Sequence, residues 1–174
     1  EARRYVAHDG KPKYLSLYST ATFDVLESPA YRKALANQTD WSKANIARFR
    51  NMIRGVARIT ISRGVGRGSA LGIIRLRPPA EGADKLRAAL REQLDPASRE
   101  SEPELSGATA DIPAMRNEGA RDWFVLIDGT QIGAVSAVIA ERFTGPAAAP
   151  FPLPVSVGTY SLMWDLAKSD IERG

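Results

Sequence analysis

Cysteine is absent from the 174 residues, and histidine occurs once, at His8. Without thiols the chain can form no disulfide, no thiol nucleophile and no cysteine-ligated zinc, iron–sulfur or haem-thiolate site. A single histidine also excludes a three-histidine metal site built from this chain alone. Neither a metal nor a cofactor is expected. Long apolar runs are lacking too: nothing approaches the roughly 18 consecutive apolar residues of a membrane helix, and Glu1-Ala2-Arg3-Arg4-Tyr5-Val6 is not the basic start and apolar core of a signal peptide. A cytoplasmic protein with no membrane partner is the expectation.

What is present is ordinary for a folded chain, with 44% hydrophobic and 25% charged residues. The net charge of +4 conceals an uneven distribution. Residues 1–77 carry 15 Lys and Arg against 5 Asp and Glu, and residues 78–174 carry 9 against 15. The arginines are scattered, and no zinc-finger, RNP or Gly-rich clamp pattern accompanies them, so nucleic acid is not an expected partner and the opposite charges can attract each other.

Periodicity divides the chain into short strands and helices. Residues 3–8 and 13–18 read as two strands joined through Asp9-Gly10-Lys11-Pro12, with Leu15 and Leu17 on one face and Tyr14, Ser16 and Tyr18 on the other. Ser28-Pro29 opens a helix, because the hydroxyl can accept from a free amide and the proline has no donor to lose. A second helix over 41–53 would place Ile46, Phe49 and Ile53 on one stripe, with Gly55 ending it. Strands follow at 56–62 and 70–76, a helix at 83–94 with Leu86, Leu90 and Leu94 inward, a strand within 105–112, a strand at 123–127 stopped by the turn pair Asp128-Gly129, a helix at 131–143, and a strand at 158–166.

The second half therefore has the order strand, helix, strand, strand, helix, strand of a ferredoxin-like unit. The first half has the same order without its opening strand and helix. Lys13 to Tyr18 aligns with Asp122 to Ile127, and Gly55 to Ile59 with Val157 to Ser161. The expected organisation is α+β, with an incomplete first unit over 1–68 and a complete second unit over 69–174, packed as a pseudo-dimeric α+β barrel. A segment ahead of Glu1, a second chain completing the sheet in an oligomer, or a smaller fold would each account for the shortfall.

Ala2-Arg3-Arg4-Tyr5, Tyr14-Leu15-Ser16-Leu17-Tyr18, Ser28-Pro29-Ala30-Tyr31 and Phe49-Arg50-Asn51-Met52 resemble the first module of duplicated dimeric α+β barrel proteins, the broad group that includes ethyl tert-butyl ether degradation-type proteins. The resemblance implies two ferredoxin-like sheets around a shared barrel. Its members range over oxygenases, isomerases, dehydratases, haem enzymes and proteins of unknown role, so it selects no reaction. The acidic, histidine-containing stretch of the group's first helix has no counterpart here.

His8 beside Asp9 has the chemistry of a general base held by a carboxylate, or of an exposed hairpin residue. Tyr14, Ser16 and Tyr18, with Arg58 and Thr60, would line a cavity if their faces turn inward, and hydroxyls beside a guanidinium suit a carboxylate, phenolate or enolate. Arg3 and Arg4 alternate, so one of them enters such a cavity, and Arg4, Trp164 and Asp165 complete the candidate ligand contacts. Gly64-Val65-Gly66-Arg67-Gly68 lacks the ending and the strand–loop–helix setting of a phosphate loop and is read as a linker. Glu100, Glu102 and Glu104 are read as a solvated connector. With His8, Tyr14, Tyr18 and Arg58 as the catalytic candidates, two functions are expected to compete. One is a cofactor-independent enzyme for a small aromatic or carboxylated molecule, working by proton transfer or enolate stabilisation. The other is a non-catalytic small-molecule binding or assembly protein.

Overall fold

A computed structural model describes residues 1–50, 53, 55–64, 67–78, 81–94, 106–111, 122–146, 151, 152 and 154–171. Its centre is strand β4 (Ala70–Leu76), most of whose residues are buried on both faces. Such a strand needs neighbours on each edge and cover on each side. The edges are paired antiparallel with β6 (Trp123–Gly129) and β7 (Ser156–Leu166). Beyond β7 lie β1 (Ala2–Asp9) and β2 (Tyr14–Tyr18), and beyond β6 lie β5 (Ser106–Asp111) and β3 (Arg58–Arg63). The seven strands form one sheet in the order β2-β1-β7-β4-β6-β5-β3, with every pairing antiparallel. It is a mixed α+β fold with a curled antiparallel sheet, compatible with a ferredoxin-like arrangement.

One face of β4 is covered by α3 (Ala83–Gln93) and α4 (Ile132–Ile139). Leu86 and Leu90 of α3, with Val135 and Ile139 of α4, join Ala70, Ile74, Leu76, Val125 and Ile127 in the larger core. Helix α4 lies close to the sheet at Gly72. A Cβ there would stand 2.7 Å from both Val135 Cγ1 and Ile139 Cδ1, so any side chain would lift the helix. Gly68 likewise allows the approach to β4 to pass against Gly129, where a Cβ would collide with the backbone carbonyl. The glycine-rich stretch read as a linker therefore also contains a packing position.

The other face of β4 contributes Leu71 to a second core with Tyr5 and Tyr160, against which Leu15, Leu17 and Leu162 pack. Among the described residues no helix residue belongs to this cluster, yet Tyr5 and Leu71 are 0% exposed. The curl of the sheet closes around them, as alternation of large side chains on a twisted antiparallel sheet allows.

The expected elements recur with shifted limits. Ser28 Oγ accepts from the Tyr31 amide at 3.2 Å at the start of α1 (Pro29–Ala36), with Pro29 in the first position. The helix expected over 41–53 is shorter: α2 spans Asp40–Ile46, capped by Thr39 Oγ1 accepting from the Ser42 amide at 3.1 Å. Ile46, Phe49 and Ile53 are all exposed, and neither α1 nor α2 buries a residue. Their stripe meets no apolar surface among the described residues, so local capping rather than packing holds these turns. A 3-10 turn, Phe23–Glu27, precedes α1. The helix expected over 131–143 changes character after Ile139. It widens into a π turn, Ala140–Thr144, that buries both Arg142 and Phe143 and stacks Phe143 on Phe151 with ring centroids 5.6 Å apart. The Glu100, Glu102 and Glu104 connector lies outside the described residues. A short helix, α5 (Lys168–Ile171), follows β7. No helix among the described residues is long and apolar enough to cross a membrane.

Ahead of β6, Asp122 is closed from solvent by two guanidiniums. Arg75 and Arg77 both hydrogen-bond it, the Arg77 Nε at 2.7 Å from Oδ1. The carboxylate is covered by these side chains rather than sunk deep in the core, since the Arg77 side chain is itself half exposed. Burial pushes its pKa up, but the hydrogen bonds and charges of Arg77 and Arg75 outweigh that and hold it below the ordinary value.

Two outcomes follow for stability. In urea unfolding, Leu90→Ala should cost about 2–5 kcal/mol, whereas Leu17→Ala, only half buried, should cost less than about 2 kcal/mol. Because the Asp122 pKa is depressed on folding, its contribution is complete above the unfolded value and disappears as pH falls through the lowered folded value. Asp122→Asn should cost about 1–3 kcal/mol at neutral pH and flatten the acid limb of a stability–pH curve.

Candidate functional site

Strand alternation sorts the candidate residues onto two faces. On one, Arg3, Tyr5 and Ala7 of β1 stand beside Leu15 and Leu17 of β2, and the register carries the row through Leu162 and Tyr160 of β7 to Leu71 of β4. Across β4, Leu71 is paired with Asp128 of β6. The curl then joins residues that are remote in sequence: Arg3 Nη1 donates to Asp128 Oδ1 at 2.9 Å, with side-chain exposures of 14% and 13%.

This pair is the inner end of a chain of alternating charge. Arg3 Nε lies 3.2 Å from Glu1 Oε1, Arg67 Nη1 lies 3.0 Å from the same oxygen, and Arg67 Nη1 lies 3.6 Å from Asp165 Oδ2. Exposure increases along it, since the Arg67 and Asp165 side chains are half exposed. Burial works against the Arg3 charge, but Asp128, Tyr5 and Glu1 overcome it, and its pKa stands above the ordinary arginine value. For Asp128 burial is also the largest influence, and the nearby Arg3 offsets it only in part, so the carboxyl titrates above its ordinary range.

Tyr5 sits against this pair. Its hydroxyl is buried and makes no hydrogen bond among the described residues. The Arg3 guanidinium is 6.0 Å from the Tyr5 ring centroid, near enough to favour the phenolate. Burial prevails over Arg3 and pushes the phenol up to about 12. Tyr160, 3% exposed on the same face, is raised by burial as well. This face therefore presents a permanent cation, a phenol that stays a neutral donor near neutral pH, and a carboxyl group that holds its proton more tightly than an ordinary aspartate.

The opposite face collects most of the residues singled out from sequence. Trp164, Arg4 and Ser16 lie in register across β7, β1 and β2, and the Arg4 guanidinium is over the Tyr14 ring at 5.4 Å from its centroid, with Lys13 Nζ at the same distance. Tyr18, on the same side of β2, is 73% exposed. His8 is exposed near the end of β1. Arg58 and Thr60 are exposed on β3, which is at the far edge of the sheet from β2, with five strands between. Of the sequence-derived candidates only Asp165 belongs to the charge chain. Of the two alternating arginines, Arg3 rather than Arg4 stands on the Tyr5 face.

Tyr5 and Tyr160 are not among the residues that the sequence singles out, whereas Arg3 is one of its two alternating arginines. Asp128 has the sequence setting of a turn residue because Asp-Gly ends a strand pattern, yet β6 continues through Gly129. Carrying the alternation of Phe124 and Leu126 two residues further would have put Asp128 on their face. Among the described residues no group of three or more His, Asp or Glu side chains is arranged to hold a metal ion.

The Tyr5 hydroxyl supplies a direct test. Burial penalises its ionisation, so stability holds below the ordinary pKa of 10 and declines as pH rises through about 12 and the buried phenol must give up its proton. An alkaline titration followed by ultraviolet absorbance should show a late tyrosine that vanishes in Tyr5→Phe. Since that substitution removes an unpaired buried hydroxyl, the variant should be as stable as the parent or more stable by about 1 kcal/mol. Compared with protein-family models and with curated proteins, the chain matches none.

Proposed function

We propose that the protein binds a small carboxylated or enolisable organic molecule on the Tyr5 face and catalyses proton transfer to and from the carbon next to its carbonyl. The observation that carries this reading is the buried Tyr5 hydroxyl, unpaired beside the Arg3 guanidinium and the Asp128 carboxylate. An unpaired buried hydroxyl is costly, and a ligand oxygen that accepts from it removes the cost.

Each group has a role suited to its environment. Tyr5 remains protonated well above neutral pH and donates to the ligand oxygen. Arg3, fixed by Asp128, supplies positive charge to the same oxygen as negative charge develops. Asp128, with its raised pKa, takes the proton from carbon through the oxygen not engaged by Arg3 and returns it to the same or the adjacent carbon, so the substrate gains and loses one proton with no other reactant. Leu15, Leu17 and Leu162 give the organic part of the ligand an apolar surface. The ferredoxin-like pairing of two units around one interior, expected from the order of elements, would enclose this face.

A panel of aromatic carboxylates and 1,3-dicarbonyl compounds tests the proposal by calorimetry and by NMR-detected exchange of the α-hydrogen with solvent deuterium. Tyr5→Phe should weaken binding roughly ten- to a hundredfold, as expected for a hydrogen bond to a charged group, while Tyr18→Phe should leave it unchanged. Asp128→Asn should bind and not exchange, and in the parent the exchange rate should rise with pH as Asp128 loses its proton. Equal affinity in the parent and Tyr5→Phe would overturn the site. Binding without exchange would leave a non-catalytic binding protein.

A further inference from the structure

One carboxylate oxygen on the Tyr5 face has two cations beside it and no hydrogen bond. Glu1 Oε1 lies 3.2 Å from Arg3 Nε and 3.0 Å from Arg67 Nη1, it is buried, and among the described residues nothing donates to it in hydrogen-bond alignment. A carboxylate between guanidiniums ordinarily accepts along their N–H directions, often from both nitrogens of the fork. The Glu1 backbone is tied to the end of β2, where the Ser19 amide donates to the Glu1 carbonyl at 2.9 Å, and this limits how its carboxylate can turn. Its side chain brings the right charge to the position without the right angle.

The position also has the setting of a ligand contact. Leu17, Arg3 and Asp165 form a row in register across β2, β1 and β7, on the face that carries Tyr5. Arg67 stands at the outer end, 3.6 Å from Asp165 Oδ2, with its side chain 52% exposed against 14% for Arg3. The oxygen thus lies between an inner guanidinium, which also donates to Asp128, and an outer one that reaches water. Charge decides how a ligand enters. Arg3 and Arg67 are accompanied by Glu1, Asp128 and Asp165, so a further anion is opposed unless it replaces one of these carboxylates. Asp128 accepts from Arg3 and Asp165 is half exposed, which leaves the buried oxygen of Glu1 with the least to lose.

We infer that this oxygen marks a carboxylate seat: a ligand carboxylate exchanges with the Glu1 side chain and is held between Arg3 and Arg67. The inference rests on the reading of the Tyr5 face as a ligand site, and it narrows that reading to an oxo acid. Arg3 reaches Glu1 through Nε and Asp128 through Nη1, so a carboxylate on its Nε side stands close to a carbonyl oxygen received by Tyr5 and the same guanidinium. The two groups then belong to one small molecule, a 2-oxo or 3-oxo acid. Glu1 turns out toward water as the ligand enters, and the exchange makes and breaks no covalent bond.

Calorimetry with benzoate and its neutral isostere benzamide tests the seat apart from the chemistry. The parent should bind benzoate about tenfold or more tightly than benzamide. Arg67→Gln should lower the benzoate affinity roughly ten- to a hundredfold and abolish that preference, while Glu1→Gln should raise it roughly tenfold. Opposite shifts in the two variants cannot both come from damage to the fold. Benzoate bound equally by the parent and Arg67→Gln, or more weakly by Glu1→Gln than by the parent, would rule the seat out. A 1,3-diketone has no carboxylate and reports the Tyr5 site by itself. Diketone binding that depends on Tyr5, with benzoate indifferent to Arg67, would remove the seat and leave the function standing. Benzoate dependent on Arg67, with no diketone bound, would keep the seat and overturn the proton-transfer reading.

Discussion

Burial of β4 on both faces is the constraint from which the rest of the structure follows. A strand with water on one side can alternate apolar and polar residues, but Ala70-Leu71-Gly72-Ile73-Ile74 offers little to solvent on either side. One side is satisfied by α3 and α4, with Gly72 letting α4 approach closely. On the other side no helix among the described residues takes part, and the sheet itself brings Tyr5, Tyr160 and the leucines of β2 over Leu71. Curling is thus how the second apolar face leaves water.

The same curl determines which charges meet. Arg3 and Asp128 are separated by 125 positions and belong to strands that are not neighbours in the sheet, yet both stand on the face that closes on itself. Ionic side chains at that depth have to compensate one another, and the charge chain running outward through Glu1 and Arg67 to Asp165 does so while its outer members keep contact with water. Asp122 with Arg75 and Arg77 is a separate ionic cluster near the other end of β4. The two clusters differ in one respect that matters for chemistry. Around Asp122 the guanidiniums hold the carboxylate below its ordinary pKa, whereas around Asp128 burial prevails and an unpaired phenol stands nearby.

The helices of the molecule are unequal in packing. Residues of α3 and α4 enter a continuous core, while α1 and α2 are held by Ser28 and Thr39 caps and a proline. Capping can start a helix of seven or eight residues but contributes only about 1 kcal/mol per cap, well short of what an apolar face contributes when buried. The exposed Trp41, Phe49 and Ile53 are side chains of a kind that normally finds cover.

Period-two and period-3.6 patterns in the sequence determined the elements: the β1–β2 hairpin with Leu15 and Leu17 sharing a face, the Ser28-Pro29 helix start, and the leucine stripe of α3 all have local causes that a single chain segment contains. The limits of α2, α4 and β6 were less legible, because a helix or strand stops where packing and capping stop supporting it, and Asp128-Gly129 has the composition of a turn while lying within a ladder. Alternation showed that Tyr14, Ser16 and Tyr18 point together and that Arg3 and Arg4 point apart, but not which face the sheet would enclose. Only the tertiary structure decided that, since the direction of curl depends on where α3 and α4 settle and on which side chains are left to cover Leu71. A strand's two faces are equivalent to its own sequence until another part of the chain covers one of them.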